Sequence, residues 1–278
     1  MTDRELPVLR IVDIRDLVLH EDCEERRIRR LQKIIAADGY LKNPPIVAPL
    51  PTGGAERYVV LDGANRVSAL RRLNVPHILV QVVHYDEVGL DTWNHLVTGM
   101  DHQEFFSLLR AIPGLATRPV DLLTARDLLA ARRIMAYVVF RDGAVCALSG
   151  ADLSLQAHAE LLNRVVDTYK GTALIFRLKT DDISQQLDYY EDITALIVFP
   201  AFAPADIVTL ATNHAKLPTG ITRHIIPNRA LRCNLPLSTL QGDRSTEAKN
   251  VWLHDHIKTK LSRKEIRYYQ ESTFLFDE

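Results

Sequence analysis

The segment from Tyr58 to Leu73, YVVLDGANRVSALRRL, constrains the fold more than any other part of the sequence. Its hydrophobic first half predicts a buried strand, which the turn-forming pair Asp62-Gly63 ends. Apolar residues then recur at helical spacing over 65–73, which predicts a helix with one buried face. A strand, a tight turn and a helix must therefore follow one another without a linker.

This turn also has the properties of an anion site. Backbone N–H groups at a helix N-terminus attract anions, and Gly63 allows a phosphate to approach the backbone closely. Arg66 offers a forked guanidinium for phosphate oxygens, and Asp62 could hold Mg²⁺ or accept a proton. The alternative is an ordinary strand–turn–helix in which Asp62 caps the helix and Arg66 is solvated. The spacing alone leaves both interpretations open.

The rest of the first 97 residues extends this unit. A helix over 24–37 is predicted by Ile28, Leu31, Ile34 and Ile35, which share one helical face, and Gly39 ends it. Hydrophobic runs predict strands at 8–14, 44–50, 57–61 and 78–85.

The second part of the chain mixes helices and strands without strict alternation, which favours an α+β fold over a parallel α/β fold. We expect an N-terminal domain over 1–97 packed on a second mixed α/β region over 98–278. In that region we predict helices at 102–111, 122–133, 154–169, after Pro204 and at 246–267, a hairpin across 141–143, strands near 173–178 and 194–199, and a proline-punctuated loop at 216–229.

Two further segments could carry chemistry. His20 and Glu21 lie just before the 24–37 helix, where a carboxylate either caps the helix or faces a cleft. Thr222, Arg223 and His224 place a hydroxyl, a guanidinium and an imidazole side by side in the 216–229 loop, a set that can bind a small carboxylate or phosphate. Each of the two segments, taken alone, is also compatible with a purely structural role.

Taken together, the segments resemble one family. Asp62-Gly63-Ala64-Asn65-Arg66, followed by an apolar helix, is similar to the DG-x-x-R signature of the ParB/sulfiredoxin-like superfamily. That superfamily covers about the first 97 residues, and it includes partition proteins that bind CTP and DNA, sulfiredoxins and free serine kinases. This signature alone therefore implies a fold without fixing a function.

Two more matches favour the free L-serine kinases within that superfamily. His20-Glu21, with Arg27 and Leu31 after it, resembles the HE…R…L pattern of these enzymes, and the loop around Thr222-Arg223-His224 resembles their serine-binding loop. Trp93 stands where they have a substrate-pocket tryptophan. The resemblance spans nearly the whole chain and is weakest in the middle.

The resemblance implies a kinase that transfers a phosphoryl group from ATP or ADP, with Mg²⁺, to the hydroxyl of free L-serine. It implies that Glu21 is the base and that Asp62 assists, as a metal ligand or second base. The residues implied to hold nucleotide phosphates are Gly63, Ala64, Asn65 and Arg66, and those implied to bind serine are His20, Trp93, Thr222, Arg223 and His224. Many family members have His-His where this chain has Ala64-Asn65, which bears on the phosphate contacts and the nucleotide preference.

Composition limits the alternatives. The chain has 34 Lys and Arg against 35 Asp and Glu, a net charge of -1, whereas a dedicated DNA-binding domain usually carries a basic excess. A ParB-like nucleotide- and DNA-binding regulator remains the main alternative, because Arg26 to Arg30 is rich in arginine. A catalytically silent sensor is a second alternative. A sulfiredoxin-type role fits worst, because no cysteine lies in 58–73.

Location and assembly follow from weaker signals. Three widely spaced cysteines without a CxxC pair argue against a disulfide framework and favour a reducing cytoplasm. The start of the chain lacks the layout of a signal peptide, and no apolar run reaches the roughly 20 residues that span a bilayer. We therefore expect a cytoplasmic protein without a membrane partner, and the sequence leaves a homodimer open.

Overall fold

Two β-sheets with helices packed against them build the protein, whose computed structural model describes residues 6–51, 54–152 and 154–269. The first sheet has the strand order β1-β6-β4-β5-β2 and contains both parallel and antiparallel pairs. This part of the chain contains β1 (Val8–Asp13), β2 (Leu17–Leu19), α1 (Glu25–Asp38), β3 (Tyr40–Leu41), β4 (Ile46–Leu50), β5 (Arg57–Asp62), α2 (Ala64–Arg72) and β6 (His77–Val82), of which β3 lies outside the first sheet.

The middle of the chain forms a six-stranded sheet in which every neighbouring pair is antiparallel. Its elements, together with the short strand that precedes it, are β7 (Gly89–Thr92), β8 (Asn94–Thr98), α3 (His102–Arg110), β9 (Leu115–Val120), α4 (Leu122–Ala130), β10 (Ala136–Phe140), β11 (Val145–Gly150), α5 (Leu155–Asp167), β12 (Leu174–Leu178), β13 (Ile193–Val198) and α6 (Pro204–Thr212). The strand order is β12-β8-β13-β10-β11-β9, so β12 and β9 are its two edges.

The C-terminal segment returns to the first sheet. It contains β14 (Thr222–Ile225), β15 (Leu235–Pro236), α7 (Leu237–Gln241) and α8 (Thr246–Ser262). Strand β14 pairs with β7, and β15 pairs with β3. On α8, the side-chain amide of Asn250 accepts a hydrogen bond from the N–H of Ile11 at 2.9 Å and donates one to its carbonyl at 2.7 Å. The end of the chain is thereby fixed against β1.

Alternation along β5 shows how the two sheets share a core. Tyr58 and Val60 face the cluster formed with α1, α2 and α8, whereas Val59 and Leu61 face the cluster that also contains residues of the six-stranded sheet. All four side chains are at most 5% exposed. Because successive strand residues point to opposite faces, β5 is buried on both sides, which explains its unbroken hydrophobic run.

Most predicted elements of the first region are present within one or two residues of their expected ends. Gly39 ends α1 in a left-handed conformation, with φ of 71° and its N–H donating to the carbonyl of Ile35 at 3.0 Å. Helix α8, however, ends at Ser262 rather than near 267. The 216–229 segment, predicted as a loop, contains the strand β14.

The domain division at residue 97 stays a prediction. The second sheet already begins with β8 at Asn94, and the helix α8 packs on the first sheet. In the described part of the chain, no helix combines the length and the hydropathy needed to cross a bilayer.

Candidate functional site

One cavity of about 1200 Å³ lies beside α1 and is lined by the three segments around Glu21, Asp62 and Thr222 in which the sequence predicted a site. It is lined by all the predicted site residues: His20, Glu21, Asp62, Gly63, Ala64, Asn65, Arg66, Trp93, Thr222, Arg223 and His224. We call the part around Asp62 to Arg66 the donor end, after the phosphoryl donor that the resemblance implies there. We call the part around Glu21, Trp93 and Thr222 the acceptor end, after the implied phosphoryl acceptor. The structure brings together residues that are up to about 200 positions apart in the sequence.

The donor end is the junction between β5 and α2. Gly63 precedes the helix with φ of 94°, and no side chain caps the helix. The first intrahelical bond runs from the N–H of Val67 to the carbonyl of Gly63 at 3.0 Å. The N–H groups of Ala64, Asn65 and Arg66 therefore have no partner within the helix, as at any helix N-terminus. Together with the helix dipole they form the kind of site that binds phosphate.

Asp62 is held by two arginines. Its Oδ2 accepts from Arg66 at 3.0 Å and from Arg229 at 2.8 Å, while Arg66 also donates to the carbonyl of Asn43 at 3.0 Å. Burial raises the pKa of the Asp62 carboxyl, but the two guanidinium charges outweigh this effect and hold the pKa below its usual value. The alternative in which Asp62 caps α2 and Arg66 is solvated is therefore wrong.

Asn65 and Ala64 contribute differently from Gly63 and Arg66. The Oδ1 of Asn65 accepts from the N–H of Glu24 at 3.1 Å, so this side chain joins the start of α2 to the start of α1. Ala64 packs partly buried against the core of the first sheet. The Ala-Asn pair thus fixes the relative position of two helices that line the cavity.

At the acceptor end, the carboxylate of Glu21 is clamped by the C-terminal loop. Its Oε2 accepts from the N–H of Gly220 at 2.9 Å, and its Oε1 accepts from both the N–H and the hydroxyl of Thr222, at 2.7 and 2.5 Å. Glu21 does not cap α1, because Glu24 occupies the N-cap position. A carboxylate offers about four acceptor positions. Three are used here, which leaves one position on Oε2.

His20 lies behind this clamp and is buried. Its Nδ1 lies 2.7 Å from the carbonyl of Val60, and its Nε2 lies 2.9 Å from the hydroxyl of Thr222. A carbonyl can only accept, so Nδ1 carries a proton, and the single hydroxyl proton of Thr222 cannot serve both His20 and Glu21. One additional proton, on His20 or on Glu21, satisfies all the contacts. Burial lowers the pKa of His20, and the neighbouring charge of Glu21 opposes this effect.

Trp93 and Arg223 form another wall of the acceptor end. The guanidinium of Arg223 lies 4.7 Å from the centre of the Trp93 ring and 3.4 Å from the carboxylate of Asp91. The N–H of Trp93 donates to the carbonyl of Ile221 at 2.8 Å. Because β14 pairs with β7 in the register Arg223↔Asp91, the sheet itself sets these contacts.

His224 is set further into the wall than its neighbours in the loop. Its Nε2 lies 2.9 Å from the hydroxyl of Tyr85, and its ring meets that of His20 edge-on at 5.3 Å. Burial, aided by the charge of His20, lowers the pKa of His224 to about 3. His224 is therefore a neutral, buried part of the wall at physiological pH.

Several cavity residues were not recognised as site residues from the sequence. Arg26, Arg27 and Arg30 line the cavity from α1, whereas Arg29 pairs with Glu25 at 2.6 Å outside it. The arginine-rich stretch, which suggested DNA binding, thus contributes three residues to the lining of the cavity. Their spacing on one side of a helix was the available signal. Arg177, on the edge strand β12, also lines the cavity, and no sequence pattern marks it.

A Mg²⁺ ion would depend on the donor end. The described residues contain no group of three or more metal-ligating side chains. Asp62 uses Oδ2 for its two arginines, which leaves Oδ1 as a ligand atom. One carboxylate together with substrate phosphates is a common environment for Mg²⁺ in phosphoryl-transfer sites. The residues present therefore fit a metal that arrives with a nucleotide.

Among known proteins the chain resembles serine kinases, although no family model matches it. It is 24% identical over 274 residues to the ATP-dependent L-serine kinase SbnI of Staphylococcus aureus, with 97% of each chain covered. It is also 24% identical over 241 residues to an ATP-dependent L-serine kinase of Staphylothermus marinus, with 84% of this chain and 91% of the relative covered.

Solved structures share the fold. A C-terminally truncated SbnI from Staphylococcus aureus superposes with a TM-score of 0.68 at 23% identity, covering 93% of this chain and 97% of that one. A free serine kinase in complex with AMP superposes with a TM-score of 0.71 at 17% identity, covering 85% and 95%. These matches confirm the α+β fold, and together with the sequence relatives they confirm the resemblance to serine kinases.

Proposed function

We propose that the protein is a kinase that transfers the terminal phosphoryl group of ATP to the hydroxyl of free L-serine, giving O-phospho-L-serine and ADP. One observation carries the proposal. A single cavity joins a helix N-terminus flanked by Arg66, Arg229 and Asp62 to a carboxylate, Glu21, that keeps one acceptor position. The relatives named ATP-dependent L-serine kinases support both the acceptor and the donor.

The donor end would bind the phosphate chain. The free N–H groups of the first turn of α2 and the guanidinium of Arg66 supply donors for phosphate oxygens. Arg26, Arg27 and Arg30 add positive charge along the wall formed by α1. When bound at Asp62, Mg²⁺ would neutralise charge on the phosphates. A developing negative charge on the transferred group would thus meet cations that are already in place.

Glu21 would act as the general base at the acceptor end. The serine hydroxyl donates to the remaining position on Oε2, and its oxygen attacks the terminal phosphorus. The serine O–H bond breaks as the new O–P bond forms, the proton passes to Glu21, and the bond from phosphorus to the bridging oxygen of ADP breaks. The N–H groups of Gly220 and Thr222 hold the carboxylate in one orientation, which supports the in-line arrangement that this transfer needs.

The residues around Glu21 are compatible with a small acceptor such as a free amino acid. Trp93, Arg223, Thr219, Gly220 and Thr222 line the acceptor end. Three of the arginines that suggested DNA binding, Arg26, Arg27 and Arg30, line the same cavity as Glu21, which favours the kinase over the regulator alternative.

The direct test is phosphoryl transfer from ATP, and separately from ADP, to L-serine in the presence of Mg²⁺, with O-phosphoserine followed by mass spectrometry. We expect product with ATP and its loss in Glu21→Gln and Asp62→Asn. Product from ADP alone, with AMP formed in equal amount, would show that the phosphoryl donor is ADP rather than ATP. Absence of product with either nucleotide would reject the kinase proposal.

A further inference from the structure

Arg177 is an exposed residue of the edge strand β12 whose guanidinium packs on the loop that holds Glu21. A methyl group built on Gly220 would lie within 2.0–2.5 Å of that guanidinium, so only glycine at position 220 leaves room for it. The φ of 75° at Gly220 likewise favours glycine. His95, opposite Arg177 in the β12–β8 pair, lies 3.5 Å from the carbonyl of Gly220 through its Nε2. Strand pairing therefore aims Arg177 at this loop.

Arg177 differs from Arg66, Arg223 and Arg229 in having no anionic partner. Arg66 and Arg229 share Asp62, and Arg223 shares Asp91 with Lys179. Across residues 6–51, 54–152 and 154–269, no carboxylate forms an ion pair with Arg177. A guanidinium that lines a ligand cavity and lacks a protein carboxylate is suited to a carboxylate of the ligand.

The same glycine links Arg177 to the proposed base. The N–H of Gly220 donates to Oε2 of Glu21, the oxygen with the unused acceptor position, and the Arg177 guanidinium packs on the other side of that residue. In serine, the hydroxyl and the carboxylate are attached to neighbouring carbons. A ligand whose hydroxyl reaches Glu21 therefore carries its carboxylate only a short distance away.

We propose that Arg177 binds the α-carboxylate of the amino-acid substrate and thereby selects amino acids over simple amino alcohols. The inference rests on the proposed function, because it assumes that serine is the acceptor. It assigns to Arg177 the contact that the sequence had attributed to Arg223 and its neighbours, while Arg223 remains a wall residue held by Asp91 and Trp93.

The test compares L-serine with ethanolamine, which is serine without the carboxylate, and with L-serine amide, in which the carboxylate is neutralised. In Arg177→Gln we expect KM for L-serine to rise about 10- to 100-fold, the range for loss of one hydrogen bond between charged groups. KM for ethanolamine and for the amide should stay within about twofold of wild type, since neither presents a carboxylate to Arg177. Arg177→Lys should fall between, because an ammonium keeps the charge but not the fork.

Arg118→Gln is the matched control. Arg118 is an exposed arginine on β9, the opposite edge of the same sheet, and its loss should change none of these values. Calorimetric titration of each variant with L-serine, without nucleotide, separates this inference from the proposed function. If L-serine binding depends on Arg177 but no O-phosphoserine is formed, the kinase proposal is rejected and the Arg177 inference is retained. The Arg177 inference falls if KM for L-serine is unchanged, if both KM values rise equally, or if the wild-type protein binds no L-serine.

Discussion

The donor end and the acceptor end of the cavity are built in opposite ways. The donor end is one continuous segment, Asp62 to Arg66, in which a strand, a glycine and a helix follow each other directly, with Arg229 added from afar. The acceptor end collects Glu21, Trp93, Arg177 and Thr222 from four separate elements or loops. The donor end depends on local backbone geometry, whereas the acceptor end depends on long-range hydrogen bonds. Substitutions at the two ends should therefore have different effects.

The largest effect should come from the acceptor end. Glu21→Gln removes the proposed base while keeping the side-chain shape, and we expect turnover to fall about 100-fold or more with little change in KM for ATP. Steady-state kinetics with both substrates would measure this. Glu25→Gln is the control, since Glu25 stands at the start of α1 but pairs with Arg29 and Arg72 outside the cavity. Turnover near wild type in Glu21→Gln would mean that Glu21 only holds the C-terminal loop in place and is not the base.

The next effect tests the hydrogen bonds that hold the acceptor end together. Thr222→Val removes the hydroxyl between His20 and Glu21 and leaves buried polar atoms unpaired, so we expect turnover to fall about 10- to 100-fold. Thr222→Ser should restore most of it. Thr92→Val is the control, because Thr92 lies opposite Thr222 in the β7–β14 pair and bonds to Pro200 instead. Equal losses in both valine variants would mean that the strand pair, not the Glu21 contact, matters.

A smaller effect is expected from a change in the backbone geometry of the donor end. In Gly63→Ala the new methyl group would meet Cβ of Pro45 at 3.0 Å and the guanidinium of Arg66 at 3.1 Å, so we expect KM for ATP to rise about 10-fold. Gly39→Ala is the matched control, with a similar positive φ but nothing within 4 Å of its new methyl group. Both should lose about 1–2 kcal/mol of stability from the left-handed backbone. An equal change in KM for ATP would show that strain, not the clash, is responsible.

The smallest effect concerns pH. Burial lowers the pKa of His224 to about 3 and that of His95 to about 4, both below the value of about 6.5 expected in the unfolded chain. The unfolded state therefore binds more protons below pH 6.5, and the free energy of unfolding should fall as pH falls, by up to about 1.4 kcal/mol per pH unit for each histidine. Asp62, whose pKa is lowered, should add a further loss only below about pH 4.

Denaturant titrations from pH 7 to pH 3.5 would separate these contributions. Asp62→Asn should remove only the part of the loss below about pH 4, where the carboxyl group of Asp62 takes up a proton in the unfolded chain before it does so in the folded protein. A variant such as His224→Gln should reduce the slope between pH 6.5 and 4, where this histidine is protonated in the unfolded chain but not in the folded protein. A stability that does not change over that upper window would contradict a neutral, buried His224 and His95.

The sequence indicated one half of the site far more directly than the other. Asp62, Gly63 and Arg66 are adjacent, so their chemistry could be inferred from local rules about glycine, helix termini and arginine. Glu21 and Thr222 could be grouped only because dispersed motifs resembled a family. The nucleotide contact of Asn65 stays a prediction, and the hydrogen bond of its side chain to Glu24, which positions α1, had no signal in the sequence.

By itself, the sequence determined the strand at 57–61, the helices over 24–37 and 65–73 to within one or two residues, and the α+β class. These follow from hydrophobic periodicity and from Gly39 and Gly63, which act over a few neighbouring residues. The tertiary structure alone decided that β14 pairs with β7, that Thr222 clamps Glu21, and that Arg177 reaches Gly220. These contacts join residues far apart in the chain, and their register is set by the packing of two sheets on one core, which no local pattern encodes.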